Sequence, residues 1–454
     1  MNLPHVSFWA AFHLLAVAVG LLLYVKRSRT VGRYRTPGSA FAWVLALIVL
    51  PYVALPMFYV FARRKQDHIT ALPWRSPQTN VAQGSDQLPR AIGLPPIRLA
   101  PTPQIYSVGS QALDALVHLI KSATKTIQFE TFIFADDDSG TRVVDALVQA
   151  QNRGIKVQIL VDELGNHPSM RKITQRMRDN HLDLKPFGKV RGLRSLATGN
   201  LRNHRKQVIV DGETLWCGGR NIANEYFDSV ADNGWTDLTF TIQGELVDDA
   251  ATVFQGDWDG TNASSAPFQT SNSSEQASHA VRLVPSGPDF KFDTQYELLL
   301  EMIGKAERRV WIATPYYVPD DTLQNAVTRA RLRGADVQLL TPAKSNHGLA
   351  DFARKRSLRD LHANQVVIHL LPFMSHAKLV IIDDVAICGS HNFDTRSLFL
   401  NYEMSVQFLD NRDVDVFARW YVDQVKVTTL ADPQPPTLPM DLAEGLVRSL
   451  AYQL

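Results

Sequence analysis

The chain has 454 residues, 45% of them apolar and 20% charged, a balance that supports a sizeable folded core and excludes a largely disordered chain. Its 47 basic and 45 acidic residues leave a formal charge of +2, which gives no general electrostatic case for a nucleic-acid partner. Two cysteines, Cys217 and Cys388, do not make a disulfide framework and read as small buried apolar side chains.

The N-terminus is the first element. Ser7 to Tyr24 is almost wholly apolar, broken only by His13, and Phe41 to Ala62 is a second stretch without a charge. Each is about long enough to cross a ~30 Å hydrocarbon layer at about 1.5 Å per residue. A cleaved signal peptide fits the first stretch poorly, because it lacks a basic leader and a second apolar stretch follows. The expectation is a two-helix transmembrane hairpin, kinked in its second arm by Pro51 and Pro56. Lys26, Arg27, Arg29, Arg33 and Arg35 lie between the arms, and Arg63, Arg64 and Lys65 follow the second. Under the positive-inside rule these two clusters argue for opposite orientations.

Residues 66–104 are polar and proline-rich and read as a linker, as do residues 261–279. Between and after them, two segments repeat one order of elements. "ALDALVHLIKSA", "TIQFETFIF", "TRVVDALVQAQNRG" and "IKVQILVD" are matched by "YELLLEMIGKA", "RVWIATPYYV", "TLQNAVTRARLRG" and "ADVQLLTP". Apolar spacing switches between helical and strand periods at the same places. Gly154 and Gly334 stop the second helix of each set. This predicts an α/β fold of two tandem halves, residues 105–260 and 280–430, each a mixed sheet flanked by helices. Residues 431–454 form a C-terminal amphipathic tail, set to pack on the protein or to lie on a membrane surface.

The same pattern follows these elements in each half. "HRKQVIVDGETLWCGGRN" runs from His204 to Asn221, and "HAKLVIIDDVAICGSHN" from His376 to Asn392. Both read His-x-Lys-x-x-x-x-Asp, an apolar run, a Gly pair or Gly-Ser, one residue, and Asn. On a strand, His204 and Lys206 share a face, as do His376 and Lys378. An imidazole beside an ammonium suits an anionic substrate. Asn221, Ser390 and Asn392 are candidate donors to non-bridging oxygens. If the halves meet, one pocket holds two histidines and two lysines, enough for nucleophilic attack on phosphorus, leaving-group protonation and charge stabilisation. The reading needs no metal and no cofactor. Asp211 and Asp383 complete the motif and the catalytic candidate set, although the turn text after them favours a supporting role.

These motifs resemble those of the phospholipase D superfamily. The longer stretches "NHRKQVIVDGETLWCGGRNIANEY", "TPYYVPDDTLQNAV" and "HAKLVIIDDVAICGSHNFDTRSLFLNYE" are similar to the membrane-anchored branch of bacterial cardiolipin synthases. The resemblance implies a multi-pass protein of the bacterial inner membrane. Its reaction would be transfer of a phosphatidyl group from one phosphatidylglycerol to another, releasing glycerol through a phosphohistidine, with no nucleic-acid partner. It also implies an acidic residue on a neighbouring strand to orient each histidine. Asp237 in "WTDLTFTI" would serve His204, and Glu403 in "NYEMSVQF" would serve His376. Related enzymes tend to attack with the N-terminal histidine, which favours His204. A hydrolase or transphosphatidylase acting on other phospholipids would use the same residues. A nuclease of the superfamily would not need two membrane spans, and a scaffold would not need two intact motifs. Oligomeric state is not encoded in any of these features.

Three further stretches bear on a lipid site. His391 stands where the resemblance implies a small residue, and packing is its expected role. Lys189, Arg191, Arg194 and Arg202 form a basic run before the first motif, equally suited to a solvated loop or to anionic headgroups. Tyr316 and Tyr317, at a strand end, are placed either to pack the core or to line a channel.

Overall fold

The computed structural model describes residues 4–28, 37–61, 64–65, 87–163, 170–188, 199–260 and 278–449. Lys189, Arg191 and Arg194, the basic residues Arg29, Arg33, Arg35 and Arg63, and most of both expected linkers lie outside these residues.

The first apolar stretch forms one helix, Pro4–Ser28, long and apolar enough over Phe8–Lys26 to cross a membrane. The second is not the single span expected. It forms two shorter helices, Pro37–Val49 and Pro51–Phe61. Pro51 has no N–H to offer and its ring crowds the preceding turn, so it opens a new helix at the position where proline is tolerated. The ladder resumes at once, with Leu50 N donating to Ala46 O and Ala54 N to Leu50 O, both at 2.8 Å. All three helices pack together. Phe12 stacks on Tyr52 and Tyr24 meets Phe58. Gly20 lies so close to Leu47 that an added Cβ would come within 2.9 Å of Leu47 Cδ2.

The rest is mixed α/β. Among the described residues, a seven-stranded sheet runs in the order Gln104–Tyr106, Thr239–Gln243, Thr214–Gly218, Gln207–Val210, Thr126–Thr131, Lys156–Asp162, Asp183–Phe187. A nine-stranded sheet contains the same order in His279–Ser286, Glu403–Phe408, Val385–Gly389, Leu379–Ile382, Arg309–Ala313, Asp336–Pro342, Val367–Leu371, and adds Arg98–Ala100 and Thr429–Leu430 at its edges. In each, a central strand pairs parallel on one side and antiparallel on the other. Thr126–Thr131 lies between Lys156–Asp162 and Gln207–Val210, and Arg309–Ala313 lies between Asp336–Pro342 and Leu379–Ile382. The parallel neighbours are reached through the helices Asp138–Asn152 and Asp321–Leu332, capped by the side chains of Asp137 and Asp320.

Layers follow from which faces are apolar. The inner faces of both sheets share one core with the helices Leu246–Asp259 and Asn411–Val425. Phe240 of one sheet meets Phe408 of the other edge-to-face at 5.1 Å; each such ring contributes about 2 to 3 kcal/mol by its burial. Cys217 and Cys388 lie in this core as free, buried thiols. The outer faces are covered by separate helix layers.

Part of the expected first linker is structured. Gln87–Ala91 is helical, and Arg98–Ala100 adds an antiparallel edge to His279–Ser286. Arg98, 2% exposed, fixes that edge through Asp249 at 2.8 Å and Glu245 at 3.2 Å. Three residues are too few to show a strand period, which is why the sequence reads as linker there. The C-terminal helix Leu438–Ser449 packs on Gly348–Ala363 by the part-buried ion pair Arg359–Glu444 and by Val447 against Ala353, while Leu438 and Leu442 face outward.

Candidate active site

The two motif strands begin at the same end of the molecule, where the sheets meet. His204 and His376 sit just before Gln207–Val210 and Leu379–Ile382, and two backbone exchanges join the sheets there. His204 N donates to Tyr402 O at 2.8 Å, and Tyr402 N to Arg202 O at 2.9 Å. His376 N donates to Thr236 O at 2.7 Å, and Thr236 N to Met374 O at 3.2 Å.

These exchanges decide which carboxylate each histidine meets. Glu403 follows Tyr402, and its Oε1 and Oε2 lie 2.9 and 3.0 Å from His204 Nδ1. Asp237 follows Thr236, and its Oδ2 lies 2.8 Å from His376 Nδ1. The expected pairing of Asp237 with His204 and Glu403 with His376 is therefore corrected: each histidine is oriented by the acid of the other sheet. A strand-end acid that stays in register within its own sheet projects across the junction, where the motif of the opposite sheet begins. With Nδ1–H given to a carboxylate, Nε2 of each ring is the nitrogen available for chemistry.

The lysines close the arrangement. Lys206 Nζ donates to His204 O at 2.7 Å, and Lys378 Nζ to His376 O at 2.5 Å. Lys378 Nζ also lies 2.8 Å from His376 Nδ1. Burial lowers Lys206 to about 7 and Lys378 to about 8, against the pull of Glu403 and Asp237. Burial likewise drives the imidazoles to their neutral forms, His204 to about 4 and His376 to about 3, despite the carboxylates. His204 feels Lys378 and His376 feels Lys206, as expected of one shared centre. Glu403 is held down at about 2 and Asp237 below its usual range; burial opposes this, and the facing imidazole and ammonium groups outweigh it.

Two of the expected donors are occupied in holding the site. Ser390 Oγ donates to Glu403 Oε2 and accepts from Met404 N at 2.9 Å, so it positions the carboxylate. Gly219 stands at the matching place in the first motif, where an added Cβ would come within 2.2 Å of Asp237 Oδ1. Asn221 accepts from Ile133 N at 3.2 Å and donates to Tyr226 Oη at 2.8 Å, and Tyr226 packs edge-on to His376. Asn392 is buried and hydrogen-bonds Asp394, with Oδ1 unpartnered.

Asp211 and Asp383 leave the catalytic set. Each follows its strand at the end remote from the histidine, about 16 Å from the motif lysine at about 3.3 Å per residue. Asp211, at φ 57°, accepts from the backbone N–H groups of Thr124, Lys125 and Thr126 at 2.7–2.9 Å. Asp383, at φ 49°, accepts from Glu307, Arg308 and Arg309 at 2.8–3.1 Å. Both are turn clasps.

The surroundings differ between the two histidines. Beside His204 lies Arg205, fully buried, bound to Asp257, to Asp289 at 3.1 Å and to Glu403 O at 3.2 Å. Glu130 accepts from Asn203 at 2.5 Å and from Gln207 at 2.6 Å. Beside His376 the corresponding neighbour is Ala377, and the ring is walled by Tyr226 and Trp235. His391 packs as expected, with Nδ1 2.8 Å from Ser405 Oγ. Arg202 is tied to Asp162 at 3.3 Å and to Gly188 O. Tyr317 is core, stacked on Phe393, while Tyr316 stays half-buried at the rim against His347.

Comparison with known proteins agrees with this geometry. The profile of the family described as "Cardiolipin synthase, PLD-like domain" matches residues 116–258 and 299–424. Cardiolipin synthase A of Pseudomonas aeruginosa is 31% identical over 423 residues, covering 87% of this chain and 86% of the relative. Cardiolipin synthase 1 of Bacillus anthracis is 29% identical over 429 residues, covering 87% and 84%. Among solved structures, phosphatidylserine synthase of Haemophilus influenzae superposes with a TM-score of 0.61 at 15% identity, covering 81% of this chain and 99% of that one, which shows a common fold. The chain belongs to the cardiolipin synthase family, with its phospholipase D-like domain.

Proposed function

We propose that the protein is a membrane-anchored phosphatidyltransferase that makes cardiolipin and glycerol from two phosphatidylglycerols. His204 Nε2 attacks phosphorus as the glycerol oxygen departs, taking a proton from His376 Nε2. The headgroup hydroxyl of the second lipid then attacks the phosphohistidine, its proton passing to His376, and His204 is released. Attack is assigned to His204 from its place in the N-terminal motif, as in related enzymes. Lys206 and Lys378 stabilise the charge that builds on the non-bridging oxygens. A monoanionic diester beside the imidazoles adds negative charge that draws a proton onto one of them. The observation that carries this reading is the crossed pair of His–carboxylate contacts, which needs both motifs in one centre.

The two sheets, alike in strand order, are read as tandem halves about a pseudo-two-fold axis, residues 105–260 and 280–430, behind a transmembrane hairpin within residues 1–65 and ahead of a tail at 431–454. The contacts among the three N-terminal helices support a hairpin, hence a multi-pass inner-membrane protein. Purified full-length protein incubated with glycerol-labelled phosphatidylglycerol should yield cardiolipin and free labelled glycerol in equal amounts. Phosphatidic acid as the sole lipid product would make it a hydrolase.

A further inference from the structure

The two residues next described after the apolar helices are built into the active-site end of the nine-stranded sheet. Lys65 is 1% exposed. Its ammonium lies 2.7 Å from Asp293 Oδ1 and donates to Gly287 O at 3.0 Å and Phe292 O at 3.3 Å. Arg64 pairs with Asp293 Oδ2 at 3.2 Å, and its guanidinium lies 4.4 Å from the centre of the Phe399 ring. Both docking points flank Glu403. Gly287 follows Ser286, which is in register with Glu403, and Phe399 heads the short segment that leads into Glu403. The loop that receives Lys65 also carries Asp289, which holds Arg205, and Arg205 grips the Glu403 carbonyl. One loop therefore separates Lys65 from the His204–Glu403 pair.

We propose that Lys65 is a positioning residue that pins the mouth of the site to the membrane anchor, so that the two histidines open toward the bilayer and receive lipid from it. The proposal rests on the reading of the chain as a membrane-anchored phosphatidyltransferase, and adds to it which way the site faces and what holds it there. Phe61 ends the last apolar helix, and four residues span at most about 14 Å. The loop at 287–293 therefore lies close to where that helix leaves the hydrocarbon. A slack tether would keep its lysine in water, because burying an ammonium is unfavourable without acceptors on several sides; here three oxygens receive it. The same end also presents apolar side chains. Phe292, 37% exposed, is on the Lys65 loop. Val230, 40% exposed, lies between Tyr226 and Trp235, the residues against His376. Leu349, 54% exposed, follows His347, which touches Tyr316. Apolar side chains on three separate segments, a loop (Phe292), a short 3-10 turn (Val230) and the first turn of the helix Gly348–Ala363 (Leu349), suit a face turned to lipid.

The test uses full-length protein and two forms of one substrate, phosphatidylglycerol in vesicles and short-chain phosphatidylglycerol dispersed as monomers. Lys65→Met and Asp293→Asn should each lower turnover on vesicles about tenfold while changing turnover on the monomeric lipid less than about twofold. The double variant should be no worse than the poorer single, as for two partners of one contact. The rate on monomeric lipid reports that each variant is folded. Equal losses on both substrates would mean a structural role only, and would overturn the proposal, as would unchanged vesicle turnover or additive losses in the double variant. Wild-type protein that makes no cardiolipin from either form would instead defeat the enzymatic reading itself.

Discussion

Replacing Asp237 with Asn and Glu403 with Gln should separate the tasks of the two histidines. Each carboxylate is fully buried and lies within 3.0 Å of one imidazole nitrogen. Neutralising it while keeping its shape removes the charge that supports a positive ring in the transition state. Breaking a buried hydrogen-bonded ion pair costs about 3 kcal/mol, or a factor of about 10² in rate. On phosphatidylglycerol both variants should fall by about that factor, since attack and leaving-group protonation are both needed. A p-nitrophenyl phosphodiester of the same lipid distinguishes them, because p-nitrophenolate departs without a proton. With His204 as nucleophile and Glu403 as its partner, Glu403→Gln should keep the ~10² loss in the p-nitrophenol burst, and Asp237→Asn should recover to within about fivefold of wild type. Rapid-quench or stopped-flow absorbance reads the burst directly. The opposite order would move the attack to His376, and equal losses in the burst would refute the division of labour that the crossed contacts imply.

The lysines predict an unusual pH signature. Burial lowers Lys206 to about 7 and Lys378 to about 8, so kcat/KM should fall as pH rises through that window and the ammonium charges are lost. The stability sign is opposite: a lysine whose folded pKa lies below its unfolded value favours the fold increasingly as pH rises above the folded value. Thermal midpoints should therefore hold or increase from pH 7 to 9 while kcat/KM declines; a joint fall would reject the assignment. Asp211→Ala should lower the denaturation free energy by about 1 kcal/mol through lost backbone clasps, with turnover per folded molecule unchanged; a fall in kcat of the folded protein would return Asp211 to the catalytic set. Gly219→Ala should displace Asp237 and reduce turnover about tenfold or more, and an unaffected rate would show that Asp237 has room to spare. Because Lys206 and Lys378 are assigned the charge stabilisation, turnover on a monomeric substrate should survive chelation by EDTA; loss restored by a divalent ion would contradict that role.

What could be read from the chain followed from local regularities. The alternation in "HRKQVIV" and "HAKLVII" placed each His beside its Lys, and the repeated order of helix and strand patterns matched the elements closely, with "TRVVDALVQAQNRG" forming Asp138–Asn152 and "TLQNAVTRARLRG" forming Asp321–Leu332. The turn text after Asp211 and Asp383 pointed to their clasp role, and both adopt the left-handed backbone that Asp and Asn tolerate. The crossed carboxylates were not legible, because the partner of His204 depends on how two sheets dock, and no periodicity within one half reports that. Arg205 was missed for a different reason. Between His and Lys on a strand it reads as a solvent-facing position, yet it is fully buried because Asp257 and Asp289 arrive from distant segments. A signal did exist: the second motif has Ala377 at that place, and a position that is arginine in one copy and alanine in the other marks unequal surroundings. The split of the second apolar stretch was signalled by Pro51, although not which residue would open the new helix.

The exchange of carboxylates between the sheets has a bearing on how such an enzyme is made. During synthesis His204 and Lys206 leave the ribosome well before Glu403, and Asp237 is present long before His376. Neither half alone contains a complete His–acid couple, so a half-finished polypeptide lacks the carboxylate that supports its imidazole. Full support of both imidazoles is reached only once the two sheets have docked. The same arrangement means that damage to either sheet weakens both histidines at once, because each sheet carries one imidazole and the acid of the other.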